Sequence, residues 1–160
     1  MLKLNKKDCL FCAIVRGDVP SHTIWSDEKH LAFLSIFPNT QGFSVVMPKD
    51  HYTSYAFEQS DQVLSELIVA TKKVAGLLDN YFEDVARCGM FFEGFGVDHL
   101  HSKLFPMHGT GGLEAWKNIE SQSHKKFFKT YPGYLSSNDS IRADDKDLAQ
   151  LAHQIRQSSQ

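Results

Sequence analysis

The chain has 160 residues, 42% of them hydrophobic, which suffices for one sizeable core and argues against two independent domains. A formal charge of −2 and a pI near 6.4 exclude the basic stripe that a polyanion-binding surface needs, but leave room for a local patch holding one small phosphate. No apolar run reaches the length of a membrane span, and the short run 9–15 ends in Arg16-Gly17-Asp18 without a small-residue cleavage site, so it makes a poor signal peptide. With three cysteines, two of them in Cys9-Leu10-Phe11-Cys12, the expected setting is reducing and cytoplasmic. There a Cys-x-x-Cys is a metal or redox motif before it is a structural disulfide.

In chain order, 22–25 and 30–37 read as strands rich in β-branched and aromatic residues, joined by a turn at Asp27-Glu28. Pro38-Asn39-Thr40-Gln41-Gly42 is a loop, and 43–47 a third strand stopped by Pro48. A long helix spans 60–80 with Ser60 as its N-cap; Val63, Leu64, Leu67, Ile68, Val74, Ala75, Leu77 and Leu78 form its core stripe. A fourth strand at 88–93, a tight turn at Gly94-Phe95-Gly96 and a fifth strand at 97–105 follow. Strands interrupted by one long helix predict an α+β domain with a five-stranded antiparallel sheet. After Gly109 the chain turns polar; 113–129 reads as helical, Pro132-Gly133 breaks it, and 144–157 reads as a closing amphipathic helix with Asp144 as its N-cap.

The densest chemistry lies in Val97-Asp98-His99-Leu100-His101-Ser102-Lys103. On a strand, His99, His101 and Lys103 would share a face, with His99 and Lys103 about 13 Å apart. An imidazole flanked by another imidazole and an ammonium suits attack on a phosphoryl group. A lone His-x-His is by default a solvated strand face, and what overturns that default lies upstream.

The order Cys9-x-x-Cys12, Ala32-Phe33 with Pro38 and Gly42, Pro48-Lys49-Asp50-His51, then Gly96-Val97-Asp98-His99-Leu100-His101, resembles the histidine-triad family of nucleotide hydrolases and transferases. The resemblance runs from about Asp8 to Pro106. It implies a histidine-triad domain over 1–109; the polar segment 110–160, read from its own pattern, is expected to be a C-terminal helical extension packed on it. In zinc-binding members the positions of Cys9, Cys12, His51 and His99 hold the metal. Four N/S ligands make a closed tetrahedral, structural site, and two thiolates with two imidazoles suit zinc. Cys88 has no place in this pattern and reads as a core residue.

The resemblance makes His101 the nucleophile that attacks an α-phosphorus to form a nucleotidyl-histidine, with His99 and Lys103 completing the catalytic set. It puts substrate-binding positions at Ser35, Asn39 and His108, and implies a homodimer. The implied substrate is a nucleotide conjugate of the dinucleoside polyphosphate or phosphoramidate type, with neither nucleic acid nor membrane as a partner.

Four departures matter: Lys103 replaces the third histidine, Ser35 stands where an acidic ribose-binding residue is expected, Gly42-Phe43 replaces Gly-His, and Gly94-Phe95-Gly96 lacks the Gln or Ser often used near the leaving group. Lysine neutralises phosphate as a point charge but, with its high ordinary pKa, shuttles protons poorly near pH 7. His108, two residues after Pro106, either supplies the missing imidazole or is an ordinary loop histidine. The alternative reading is a zinc-stabilised nucleotide-binding module with little or no turnover. A thiol-redox role for Cys9 and Cys12 lacks the βαβ context such proteins have.

Overall fold

The computed structural model describes residues 8–111 and 142–157. Helix α1 (Leu10–Arg16) is capped by Cys9, whose Sγ accepts from the Cys12 N–H at 3.5 Å, and is closed by Gly17 at φ 83°, a conformation that glycine adopts without a Cβ clash. Strands β1 (His22–Ser26), β2 (His30–Leu34) and β3 (Ser44–Pro48) follow, then a 3-10 turn (Ala56–Glu58), helix α2 (Asp61–Tyr81), β4 (Cys88–Phe91), β5 (Ser102–Pro106) and α3 (Asp145–Gln157). The sheet has the order β1-β2-β3-β5-β4, and every neighbouring pair is antiparallel. This is the expected α+β architecture with five strands. The expected helix at 113–129 and its break at Pro132-Gly133 lie outside the described residues.

Alternation along the strands sorts side chains into two layers. Ala32, Leu34, Val46 and Leu104 face α2 and α3 and join Leu67, Val74, Leu78, Leu148, Ala152 and Ile155 in the larger core. Phe33, Val45 and Met47 face the other way, where Cys9, Phe11 and Cys12 of the α1 segment cover them. The sheet therefore carries its stabilising mass on one face and its chemistry on the other. Ser102, on the larger-core side, is pinned to α2: its Oγ lies 2.7 Å from Thr71 Oγ1, which itself donates to the Leu67 carbonyl at 2.8 Å.

Both long helices start as the sequence predicts. Ser60 Oγ accepts from Val63 N–H at 3.3 Å, and Asp144 Oδ1 accepts from Lys146 N–H at 2.8 Å. On α2 the buried set is Leu67, Ala70, Thr71, Val74 and Leu78, while Ile68 of the predicted stripe is exposed. Cys88, on β4, is half-buried, and burial together with the neighbouring Asp79 carboxylate pushes its thiol pKa well up.

The fifth strand departs from expectation. It begins only at Ser102, because 97–101 leaves the ladder: His99 N–H donates to Val97 O and Leu100 N–H to Tyr52 O, both at 2.9 Å. Gly94 and Gly96, at φ 78° and 96°, turn the preceding segment in a way that L side chains resist. The side chain of His99 is thus placed by a loop, not by the pleat.

Candidate functional site

Two adjacent centres occupy the α1 face of the sheet. In the first, His99 is completely buried and lies 3.4 Å through Nδ1 from Cys9 Sγ and 3.6 Å from Cys12 Sγ, while His51 Nδ1 lies 3.3 Å from Cys12 Sγ. The four donor atoms fall within 4.8 Å of one another. A tetrahedron with Zn–S of about 2.3 Å and Zn–N of about 2.0–2.1 Å has S···N edges near 3.6 Å, so the donor set has the size that zinc requires. His99 Nε2–H donates to the Pro48 carbonyl at 2.9 Å, leaving the Nδ1 lone pair toward the thiols, the usual outer partner of a metal-binding imidazole. Burial pushes the His99 pKa down to about 4, which keeps the ring neutral and able to ligate.

Three local devices assemble this corner. The Cys9 cap sets both thiols at the start of α1. Pro48 ends β3, and the segment after it swings His51 against His99, ring centroids 5.1 Å apart. Asp98 Oδ1 accepts from Ser54 N–H at 2.9 Å and so ties the His51 segment to the His99 loop; this bond chiefly holds the Asp98 carboxyl below the usual range.

The second centre is a cavity of about 300 Å³ bounded by α1, the ends of β1 and β2, and the Phe95 loop. His101 and Lys103 both open onto it. His101 is 3% exposed, and its Nδ1–H donates to the His99 carbonyl at 2.7 Å, so the lone pair sits on Nε2. Phe11 meets the imidazole edge-on, with centroids 5.2 Å apart. Burial, seconded by the Lys103 charge, lowers the His101 pKa and holds the ring neutral. The remaining walls are mostly apolar, with Phe11, Phe33, Phe37, Val45 and Phe95 among them, which suits a flat heterocycle.

Of the predicted substrate residues, Ser35 lies on the cavity wall, with its Oγ accepting from Phe37 N–H at 3.2 Å. Asn39 lies in the exposed loop after β2, beyond the lining residues. His108 is held elsewhere: its Nδ1 sits 3.1 Å from Asp84 and its Nε2 3.0 Å from the Gln41 carbonyl, with its ring against Phe82.

The sequence reading missed Glu93, whose Oε2 stands 3.9 Å from Lys103 Nζ. A lysine in a buried triad position needs a counter-charge, and that requirement was the available signal. It also missed Asp98, which looks like an ordinary loop acid until the Ser54 contact is seen.

Comparison with known proteins agrees with this arrangement. A family model described as HIT domain matches residues 16–110. Protein hit of Bacillus subtilis is 33% identical over 117 residues, spanning 69% of this chain and 80% of that protein. The adenosine 5'-monophosphoramidase hnt1 of Schizosaccharomyces pombe is 34% identical over 100 residues, 61% of this chain and 73% of that one. A zinc-bound histidine triad family protein from Mycobacterium smegmatis superposes with a TM-score of 0.66 at 20% identity, covering 96% of this chain and 94% of that chain, and shares the fold.

Proposed function

The chain belongs to the HIT domain family, and from that premise we propose that it is a nucleotidyl hydrolase or transferase working through a covalent nucleotidyl-His101. The observation that carries the reading is the state of His101: a buried, neutral imidazole, its Nδ1–H engaged by the His99 carbonyl and its Nε2 available beside a nucleotide-sized cavity. Nε2 attacks the α-phosphorus, forming a P–N bond as the bond to the leaving group breaks. The leaving group departs with a proton drawn from solvent, and the acceptor of the second step releases one in return. Positive charge on the ring is stabilised through Nδ1–H by the His99 carbonyl. Water or another acceptor then displaces His101, delivering the mononucleotide and restoring the neutral imidazole. Two modest displacements replace one difficult one. Lys103 faces the same cavity and neutralises phosphoryl oxygen as a point charge.

Cys9, Cys12, His51 and His99 would hold a zinc ion whose contribution is structural, since the protein fills all four positions. They would anchor the loop whose carbonyl orients His101. No described helix is long and apolar enough to cross a membrane. The same reading takes the molecule as a cytoplasmic homodimer. The test is incubation with adenosine phosphoramidate and with diadenosine polyphosphates, following mononucleotide release. Release is expected. Binding without release, which the replacement of histidine by Lys103 makes the next reading, would make the protein a nucleotide-binding module.

A further inference from the structure

We propose that Glu93 makes the cavity a charge filter, favouring phosphoryl groups with one negative charge over the dianionic mononucleotide that the reaction releases. This rests on the nucleotide reading above and adds to it the ionisation state that the site prefers. Lys103 is the one lysine or arginine lining the cavity among the described residues. Phosphate sites usually gather several cations. This one sets a carboxylate 3.9 Å from its ammonium, with the Glu93 side chain 7% and the Lys103 side chain 16% exposed. At that separation the carboxylate acts through space, beyond hydrogen-bond length. The Phe91 ring, 6.0 Å from Nζ, adds an apolar neighbour.

The pair offers little net charge to an arriving phosphate. Attraction to Lys103, less repulsion from Glu93, grows in proportion to the ligand's charge, whereas the cost of stripping its water grows as the square. Among mostly apolar walls, the second charge therefore costs more than the pair returns. A diester or phosphoramidate carries one charge at the reacting phosphorus. The released mononucleotide carries about two above pH 6. The filter thus separates substrate from product at the same subsite and limits product inhibition.

The probes are adenosine 5'-monophosphate and its P-methyl ester, titrated calorimetrically against the full chain at pH 8. Glu93→Gln removes the negative charge that stands 3.9 Å from Lys103. The ester is expected to gain about fivefold in affinity and the monophosphate about twenty-five-fold, the square, because its charge is doubled. Glu93→Asp, which keeps the charge, should keep the wild-type ratio of the two affinities. A purely structural role for Glu93 would change both ligands alike. Should Glu93→Gln fail to fold, the wild type decides: monophosphate affinity relative to the ester should fall as pH rises through about 6, where only the monophosphate gains charge. An unchanged ratio in Glu93→Gln, or a flat or rising wild-type pH dependence, overturns the filter and leaves the nucleotide site standing. Failure of both probes to bind wild type overturns the nucleotide site and the filter with it.

Discussion

His99 and His101 stand two residues apart and are held by opposite ring nitrogens. At His99 a backbone carbonyl, Pro48 O, takes Nε2–H and turns Nδ1 toward two thiols in a space with no solvent access. At His101 a carbonyl, His99 O, takes Nδ1–H and leaves Nε2 toward an open cavity. Both rings are buried and both are held neutral. Under the proposed function, which nitrogen the main chain occupies, and whether the other meets cysteines or space, is what would separate a ligand from a nucleophile. The second assignment depends on the first, since the carbonyl that orients His101 belongs to the residue the metal corner fixes.

The sharpest way to break this contrast is to remove one ring at a time. His101→Ala should lower turnover by about four orders of magnitude or more while zinc content stays at the wild-type value and the fold is kept, with Tm lowered by a few degrees for the cavity left at a buried site. Steady-state kinetics, elemental analysis and calorimetry check the three quantities on one preparation. Normal turnover would move the nucleophile elsewhere.

The complementary change, Cys9→Ser or His99→Ala, should remove the zinc and several kcal/mol of stability together, roughly 3 or more, because binding energy at such a site is folding energy. Chelation of the wild type should do the same. Acid should act in the same direction. In the metal-free chain burial lowers the His99 pKa from 6.5 to about 4, so the unfolded chain binds the extra proton between those values. Its contribution is complete above pH 6.5, is lost as pH falls, and levels off near 4. Metal-free protein with undiminished Tm would dissolve the distinction between the two centres.

A smaller effect sharpens the picture of the cavity. Lys103→Ala should slow turnover by about ten- to a hundredfold without removing the covalent adduct, if the ammonium only neutralises phosphoryl oxygen. Intact-mass measurement after an acid-free quench reads the adduct. In the wild type, the neutral His101 required for attack persists below its ordinary pKa of 6.5, so the acid limb of kcat/KM should lie below pH 6.5. An acid limb at or above 6.5 would mean that burial does not govern this ring.

The least expected effect lies on the opposite face of the sheet. Thr71→Val leaves Ser102 Oγ without its 2.7 Å partner and should cost about 1–2 kcal/mol, seen as a Tm shift of a few degrees with chemistry unchanged. A loss of activity larger than the loss of stability would show that α2 registers the nucleophile through β5.

Much of this was legible from residue types and spacing alone. The Ser60 and Asp144 caps and the strand content follow from local chemistry that a linear chain displays, whereas the Cys9, Cys12, His51 and His99 set came from the resemblance to the histidine-triad family. The predicted strand across 97–101 did not form. Two positive-φ glycines and a hydrogen bond from Leu100 to Tyr52 draw that backbone toward the 48–54 segment, and no period-2 pattern encodes a pairing with a loop. His108 reads in sequence as a spare imidazole near the site, yet Asp84 and the Gln41 carbonyl hold it away from the cavity lining. Glu93 was invisible because its meaning depends on a lysine across the sheet.

By itself, then, the sequence determined most of the elements, because propensity and capping are properties of residues and near neighbours, while its family resemblance pointed to Cys9, Cys12, His51 and His99 as ligands and to His101 as nucleophile. Only the tertiary structure decided which nitrogen of each histidine is available, that Lys103 acts beside a buried carboxylate, and that Ser35 but neither Asn39 nor His108 lines the cavity. Those outcomes depend on carbonyls, charges and walls contributed by residues distant in the chain, and burial gives them their strength by removing the water that would otherwise screen them.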